Sequence, residues 1–203
     1  MSSDRLESYG QGDEEKRVCG LSLVSGPCLV VSVGSNNQWD FEKAVIRQTK
    51  CRVVTFDCTC GTLRPPTAIL DRLTAVPVCI GRKNFVNEKG WRFMTWGSAL
   101  AFANISHVTH LKMDIEGFEY DVMREVVHND HELLPSQISL ELHYHTQMTD
   151  LAWHGRFKTP AEVAFFITTL FTSAGYFIID RHDNPYCRHC SELLLARFNT
   201  DTS

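Results

Sequence analysis

The sequence predicts an α/β fold in which a doubly wound, mostly parallel β-sheet ends in an antiparallel hairpin. Two observations predict it: short apolar runs alternate with helical patterns, and the last two runs are joined by a connection too short for a crossover helix. The runs that predict five parallel strands are 29–34 (LVVSVG), 52–57 (RVVTFD), 75–80 (AVPVCI), 110–114 (HLKMD) and 137–143 (QISLELH). The hairpin is predicted over 176–180 (YFIID) and 192–198 (ELLLARF).

Helical patterns occupy the connections between these strands. They cover residues 40–49, 95–105 and 116–127, and a fourth helix begins at a TPAE stretch. There Thr159 suits the N-cap, Pro160 the first turn and Glu162 the third position of a capping box. Gly175 suits the end of this helix, because the apolar period continues as far as residue 174.

The composition is that of one globular domain. The chain has 203 residues, of which 43% are hydrophobic and 22% are charged, and this is enough to build one buried core. Residues 1–20 are charged and lack an apolar period, so we expect a flexible or loosely docked arm followed by a single domain over 21–203. With a net charge of −4, the chain is not expected to bind nucleic acid, which requires a basic surface.

The expected location and the cysteine chemistry are linked. The longest apolar helical stretch, residues 161–171, is too short to span a bilayer, and the first residues are too charged for a signal peptide. We therefore expect a cytoplasmic protein without a membrane span. In that compartment the eight cysteines are expected to be mostly reduced thiols, although their even number also suits disulfides.

Small and polar residues follow the first two predicted strands, at the edge where open α/β sheets bind ligands. Gly34, Ser35 and Asn36 allow a close backbone approach to a ligand, although an ordinary turn has the same composition. Asp57 ends the second strand, 57 − 34 = 23 residues after Gly34, where a carboxylate can accept both ribose hydroxyls of a nucleotide. Cys58 would lie near the adenosine, or would only pack. The sequence predicts that these residues bind a cofactor.

Acidic residues and a histidine mark the next two predicted strands. Asp114 ends the fourth strand and Glu116 lies two residues further on. Glu141 and His143 lie on one side of the fifth strand by period two. We expect these four residues to line the reaction face, with Asp114 also contacting the cofactor. They can take a proton from a hydroxyl nucleophile or hold a divalent ion such as Mg²⁺ or Mn²⁺, whereas a structural role is the alternative for the histidine.

The stretch HLKMDIEGFE, residues 110–119, closely resembles the LKxDxEGxE signature of FkbM-type methyltransferases and related methyltransferase-like domains. The stretches GSNNQWDFE, VVTFDCT, SLELHYH and CSELLLAR resemble the related domains more closely. The resemblance spans roughly residues 19–198. It implies a Rossmann-like class I methyltransferase fold, S-adenosylmethionine as methyl donor, and a hydroxyl on a small molecule, sugar or other glycan as acceptor.

Two departures from that pattern keep other functions open. Ser32 and Asn36 stand where class I methyltransferases commonly have an acidic residue and a second glycine, and this favours a non-catalytic binding or scaffold module as the alternative. An oxidoreductase that binds a nicotinamide dinucleotide is a further alternative. The chain lacks the glycines after Gly34 that a pyrophosphate group needs.

Two polar loops are further candidates. The loop 144–158 (YHTQMTDLAWHGRFK) would contact substrate, or would be an ordinary solvated connection. The last loop carries a Cys-x-x-Cys pair with nearby histidines: His182, Cys187, His189 and Cys190. A hairpin loop without metal is the favoured interpretation, because strong zinc signatures use two such pairs, and a disulfide is a third alternative.

Overall fold

The computed structural model describes residues 6–144 and 158–197. Its α-helices are α1 (Asp40–Gln48), α2 (Trp96–Phe102), α3 (Glu119–Asn129) and α4 (Pro160–Ala174). Its strands are β1 (Leu6–Tyr9), β2 (Lys16–Cys19), β3 (Leu29–Val33), β4 (Arg52–Phe56), β5 (Leu73–Val76), β6 (Cys79–Ile80), β7 (Phe85–Val86), β8 (Arg92–Met94), β9 (His110–Met113), β10 (Gln137–His143), β11 (Tyr176–His182) and β12 (Cys190–Arg197).

Seven of these strands form one sheet in the order β11-β12-β10-β9-β3-β4-β5. The strands from β5 to β10 in this order are parallel, whereas β12 runs antiparallel to both β10 and β11. The predicted fold class is therefore confirmed, including the antiparallel hairpin at the edge. The strand order reverses between β3 and β9, so Val33 lies opposite Met113 at the switch point where such sheets bind ligands.

Helices cover both faces of the sheet, because successive residues of a strand point to opposite faces. In β3, Val31 and Val33 pack in one core with residues of α2, α3 and α4. Val30 instead packs in a second core with residues of α1 and of the first hairpin. The apolar run of β3 is thus the pattern expected of a strand that is buried on both faces.

The predicted third strand is divided in two. β5 ends at Val76, and Cys79–Ile80 forms β6 in a separate three-stranded sheet with β8 and β7. Pro77 lies at the break, and a proline has no N–H to donate to a continuing ladder. The chain leaves the main sheet there, and residues of the small sheet form a wall beside the ligand edge of the main sheet.

The charged segment before residue 20 forms a β-hairpin. β1 pairs with β2, and Tyr9 and Lys16 are both buried. The side chain of Gln137 on β10 accepts from the Cys19 N–H at 3.0 Å and donates to the Cys19 carbonyl at 2.9 Å. The expectation of a flexible or loosely docked arm is therefore corrected for residues 6–19, whereas the boundary of the domain stays a prediction.

Six of the eight cysteines are joined in pairs, which corrects the expectation of mostly reduced thiols. The disulfides are Cys28–Cys51, Cys58–Cys79 and Cys187–Cys190. The first two have Cα–Cα distances of 4.5 and 5.0 Å, within the range that a disulfide spans. The sheet explains them, because Cys28 and Cys51 precede the adjacent strands β3 and β4, and the second pair follows β4 and β5.

The start of α4 is as predicted. The Glu162 N–H donates to the Thr159 hydroxyl at 3.2 Å, and the Thr159 N–H donates back to the Glu162 carboxylate at 2.9 Å, so the capping box is confirmed. Within residues 6–144 and 158–197, none of the helices has the length and apolar character needed to cross a bilayer.

Candidate functional site

A cavity of about 350 Å³ lies at the carboxyl ends of β3, β4, β9 and β10. This is the edge where doubly wound sheets bind ligands, and the volume is in the range of about 300–1,000 Å³ that small-molecule sites occupy. The cavity gathers residues that the sequence predicts from four separate strand ends: Gly34, Ser35, Asn36, Asp57, Asp114, Glu116, Glu141 and His143. One of its ends is aromatic, and the other is rich in carboxyl groups.

The turn after β3 is shaped by the crowding of two strand ends. Gly34 has a φ of +84°, and a Cβ atom there would lie 1.7 Å from the Asp114 carbonyl oxygen. The Gly34 carbonyl accepts a hydrogen bond from Lys112 Nζ. Asn36 and Asn37 also have positive φ, of 46° and 56°. The close approach of β3 to β9 therefore requires the glycine, whatever the cavity binds.

Asp57 holds this turn in place. Its Oδ2 atom accepts from the backbone N–H groups of Ser35 at 2.9 Å and Asn36 at 2.8 Å. Its Oδ1 atom accepts from the N–H and the hydroxyl of Thr59 at 2.8 and 2.7 Å. Burial alone would raise the pKa of Asp57, but these donors hold it below its ordinary value. Ribose binding by Asp57 stays a prediction, and it requires the ribose hydroxyls to replace one of these donors.

Aromatic rings form one end of the cavity. Phe93 and Phe118 line the cavity with ring centroids 6.4 Å apart, and Phe85, which does not line it, stacks on Phe93 at 4.7 Å. Cys58 packs in this cluster, is only 6% exposed and is bonded to Cys79. Cys79 faces the cavity and Cys58 does not, so the structure does not bring the predicted cofactor residue Cys58 to the site.

A buried lysine lies at the opposite end. Lys16 Nζ is 2.7 Å from Glu141 Oε2, 2.5 Å from Glu192 Oε1 and 3.7 Å from Asp114 Oδ2. Burial alone would lower the pKa of Lys16, but the three carboxylates raise it above its ordinary value. Burial would likewise raise the pKa of Asp114, but Lys112 and Lys16 hold it well below its usual range. Asp114 is therefore anionic at neutral pH.

His143 is fixed by a carboxylate behind it. Its Nδ1 atom is 2.9 Å from Glu119 Oε1, while Nε2 faces Glu116 Oε2 at 3.6 Å and Glu141 Oε1 at 3.8 Å. Burial alone would lower the pKa of the ring, but Glu119, with Asp114 and Glu141, raises it to about 10. The ring is thus protonated at neutral pH in this state, and it has no free lone pair with which to act as the predicted base.

The two remaining carboxyl groups of the reaction face differ in environment. Burial, followed by the charge of Asp114, raises the pKa of Glu141, whereas the ammonium of Lys16, 2.7 Å away, opposes that rise. The Glu116 side chain is 48% exposed, and burial raises its pKa while the nearby His143 lowers it. Glu116 also has a φ of +58°, a conformation that a residue with a side chain adopts only where its surroundings impose it.

Sequence reasoning missed the contribution of the first hairpin. Asp13 and Glu14 line the cavity, and Lys16 lies behind it with its side chain fully buried. Lys16 and Val18 share the buried face of β2, but the sequence KRVC begins with two charged residues, so it carries no local signal that Lys16 is buried. The segment 145–157, which carries most of the predicted substrate loop, lies outside the described residues.

Comparison with known proteins identifies the fold. No protein-family model and no curated protein matches the chain. The chain is similar to a solved structure in a fibrillarin/Nop5p complex, with 9% identity, 86% of this chain and 75% of that chain covered, and a TM-score of 0.53. It is also similar to the methyltransferase FkbM from Methylobacillus flagellatus KT, with 13% identity, 91% and 48% covered, and a TM-score of 0.51. The chain spans about half the length of that protein. At these identities the likeness shows a shared class I methyltransferase fold.

Proposed function

We propose that the chain is an S-adenosylmethionine-dependent methyltransferase that acts on a hydroxyl of a small molecule or glycan. The observation that carries the proposal is the two-ended cavity at the switch point of the sheet. Its aromatic end suits a purine base, and its carboxyl-rich end suits the sulfonium and amino groups of the cofactor. The fold shared with the solved FkbM methyltransferase supports the same cofactor class.

The turn after β3 disfavours a nicotinamide dinucleotide. A pyrophosphate group binds to free backbone N–H groups at such a turn. Here the Ser35 and Asn36 N–H groups donate to Asp57, and the Gly34 N–H donates to the Phe56 carbonyl at 3.0 Å. The nearby carboxyl groups would also repel the phosphates.

The residues of the carboxyl-rich end have different roles in the proposed reaction. S-adenosylmethionine supplies a methyl group on an already activated sulfonium, so positioning contributes much of the rate. We assign the anionic Asp114 to the positive end of the cofactor. Glu116, the exposed carboxylate, accepts the proton of the hydroxyl, whereas the protonated His143 donates a hydrogen bond to the acceptor. Glu141 lines the same face and binds Lys16.

A magnesium or manganese ion would use Asp114, Glu116 and His143, whose ligand atoms lie within 4.8 Å of one another. The surroundings do not favour it, because Lys16 and Lys112 already lie 3.7 and 3.5 Å from the Asp114 carboxylate. Two ammonium groups at that carboxylate repel a divalent ion about twice as strongly as they repel a group with a single positive charge at the same distance. We therefore assign no step of the reaction to a metal.

Calorimetric titration with S-adenosylhomocysteine tests the cofactor, with NAD in parallel and each repeated with Mg²⁺. We expect saturable binding of S-adenosylhomocysteine alone, unchanged by Mg²⁺. Phe93→Ala removes an aromatic ring of the cavity and should weaken binding, whereas Val86→Ala, in the same small sheet but 60% exposed, should not. Binding of NAD, or of neither ligand, would refute the cofactor assignment.

Transfer of a labelled methyl group to a panel of sugars and small hydroxyl compounds tests catalysis. Glu116→Gln should lower the transfer rate without changing the affinity for S-adenosylhomocysteine, because Glu116 faces the acceptor. A protein that binds the cofactor and transfers no methyl group to any acceptor would favour the alternative, a non-catalytic binding module.

A further inference from the structure

The loop between β11 and β12 brings two cysteines against the end of β10. Cys190 lies opposite His143 in the antiparallel ladder, and its sulfur is 2.8 Å from Glu141 Oε1. Cys187 is three residues earlier, with a Cα–Cα distance of 5.6 Å, and its sulfur is joined to that of Cys190. One ligand atom from each of these four residues lies within 4.8 Å of the others. The histidines that the sequence suggested as partners, His182 and His189, are not in this group.

The donor types in this group are those of a zinc site. Two sulfurs, one imidazole nitrogen and one carboxylate oxygen are ligands that zinc takes in tetrahedral geometry. With zinc–ligand bonds of about 2.0–2.3 Å, tetrahedral ligand atoms lie about 3.3–3.8 Å apart. Ligand atoms up to 4.8 Å apart would have to move closer together to reach that geometry, whereas the two bonded sulfurs, and Cys190 Sγ and Glu141 Oε1 at 2.8 Å, would have to move apart.

The histidine is also supported in the way that metal-binding histidines are. Its Nδ1 atom bonds to Glu119, which leaves Nε2 facing Glu141. Glu119 is itself held by the N–H groups of Ile115 at 3.0 Å and Gly117 at 3.2 Å. A carboxylate that binds one imidazole nitrogen fixes the ring and directs the other nitrogen at the metal.

One oxygen of the Glu141 carboxylate is available to bind a metal ion. Lys16 binds its Oε2 atom at 2.7 Å, so Oε1 is the atom that faces Cys190. Two thiolates and one carboxylate carry three negative charges, which exceeds the charge of a zinc ion by one. The Lys16 ammonium beside the cluster offsets that excess.

We propose that the dithiol form of Cys187 and Cys190 binds a zinc ion together with His143 and Glu141, and that the disulfide form does not. A dithiol reductant breaks the S–S bond by delivering two electrons and two protons, and it becomes a disulfide itself. Zinc then displaces the protons of the two thiols. The bound ion would fix the loop to β10 beside the cavity. This inference goes beyond methyl transfer. Because it uses His143 and Glu141, the zinc form would lack the hydrogen bond that His143 is proposed to donate in the reaction.

Cobalt titration of the whole chain, reduced with a phosphine in the absence of oxygen, tests the site. We expect one Co²⁺ per chain, a thiolate-to-cobalt charge-transfer band and the visible bands of tetrahedral cobalt, all abolished by one equivalent of Zn²⁺. Cys187→Ser and Cys190→Ser should each remove the charge-transfer signal or reduce it, with at least a tenfold loss of zinc affinity. The oxidised chain should give no signal.

Matched variants separate this site from others. Cys60→Ser removes a cysteine that is in no disulfide and should leave the spectrum unchanged, as should His182→Gln. Glu119→Gln keeps an acceptor for the backbone but weakens the support of His143, so zinc affinity should fall about 10–100-fold while the cobalt spectrum stays tetrahedral. The proposal is refuted if the reduced chain gives no thiolate band, if His182→Gln removes it, or if only Mg²⁺ or Mn²⁺ binds.

Discussion

Replacing Gly34 by alanine tests whether the turn after β3 is dictated by the contact between two strands. Gly34 has a φ of +84°, and its added Cβ atom would overlap the Asp114 carbonyl oxygen at 1.7 Å. Gly90 is a matched control, because its φ is +78° and nothing lies within 4 Å of an added Cβ atom. Both substitutions incur the cost of a left-handed conformation, about 1–2 kcal/mol. Only Gly34→Ala also forces the backbone at Asp114 to move.

The magnitude follows from that difference. Overpacking of a closed structure costs about 1–3 kcal/mol, so Gly34→Ala should lose about 2 kcal/mol more than Gly90→Ala. For a chain of this length, about 2–4 °C of melting temperature is lost per kcal/mol. Gly34→Ala should therefore melt about 4–8 °C below Gly90→Ala in a calorimetric scan. Equal melting temperatures for the two variants would refute the steric argument.

Three further predictions concern the buried charges and the cysteines. Lys16→Met leaves carboxylates buried without their cation, so it should lower the free energy of unfolding by about 3–5 kcal/mol in a urea titration. Lys43→Met, which removes one partner of a surface ion pair, should change that free energy by less than about 1 kcal/mol. Similar losses in the two variants would contradict the buried network. Asp57→Ala should destabilise the chain at pH 7, because it removes the acceptor of the turn. Folding lowers the Asp57 pKa, so the charge-dependent part of the difference from wild type should shrink as pH falls from about 4 through that lowered pKa, and a difference independent of pH would exclude a charged role. Denaturation without reductant should expose two titratable thiols, those of Cys19 and Cys60, and a count of eight would restore the expectation of reduced thiols.

Much of the fold is predictable because its signals are local. The apolar runs of β3, β4, β9 and β10 and the capping box at Thr159 depend on neighbours within a few residues. The break at Pro77 was also visible in the sequence, but the apolar residues on both sides of it suggested one continuous strand. The first hairpin was missed because its partners are distant and polar. A charged residue with no local apolar period gives no sign that three carboxylates will surround it.

The candidate site is predictable only in part for a related reason. Strand topology alone brings Gly34, Asp57, Asp114 and Glu141 to one edge, and the sequence predicts that arrangement. Hydrogen bonding then decides what each group can do, and it is not visible in the sequence. Asp57 was expected to accept hydrogen bonds from a ligand, but its carboxylate already accepts them from the backbone of the turn after β3. The strand register, likewise, places Cys190 opposite His143, a residue of a strand distant in the sequence.

The position of Lys16 in the chain has a consequence for the order of folding. Its partners Glu141 and Glu192 lie 125 and 176 residues further along the chain. During synthesis β2 leaves the ribosome long before β10 and β12 exist, so the Lys16 ammonium stays hydrated until almost the whole sheet has been made. Contacts between such distant segments form slowly, because a long loop must close before they contribute. The aromatic end of the cavity, built within residues 79–118, can form first, and the carboxyl-rich end is completed last.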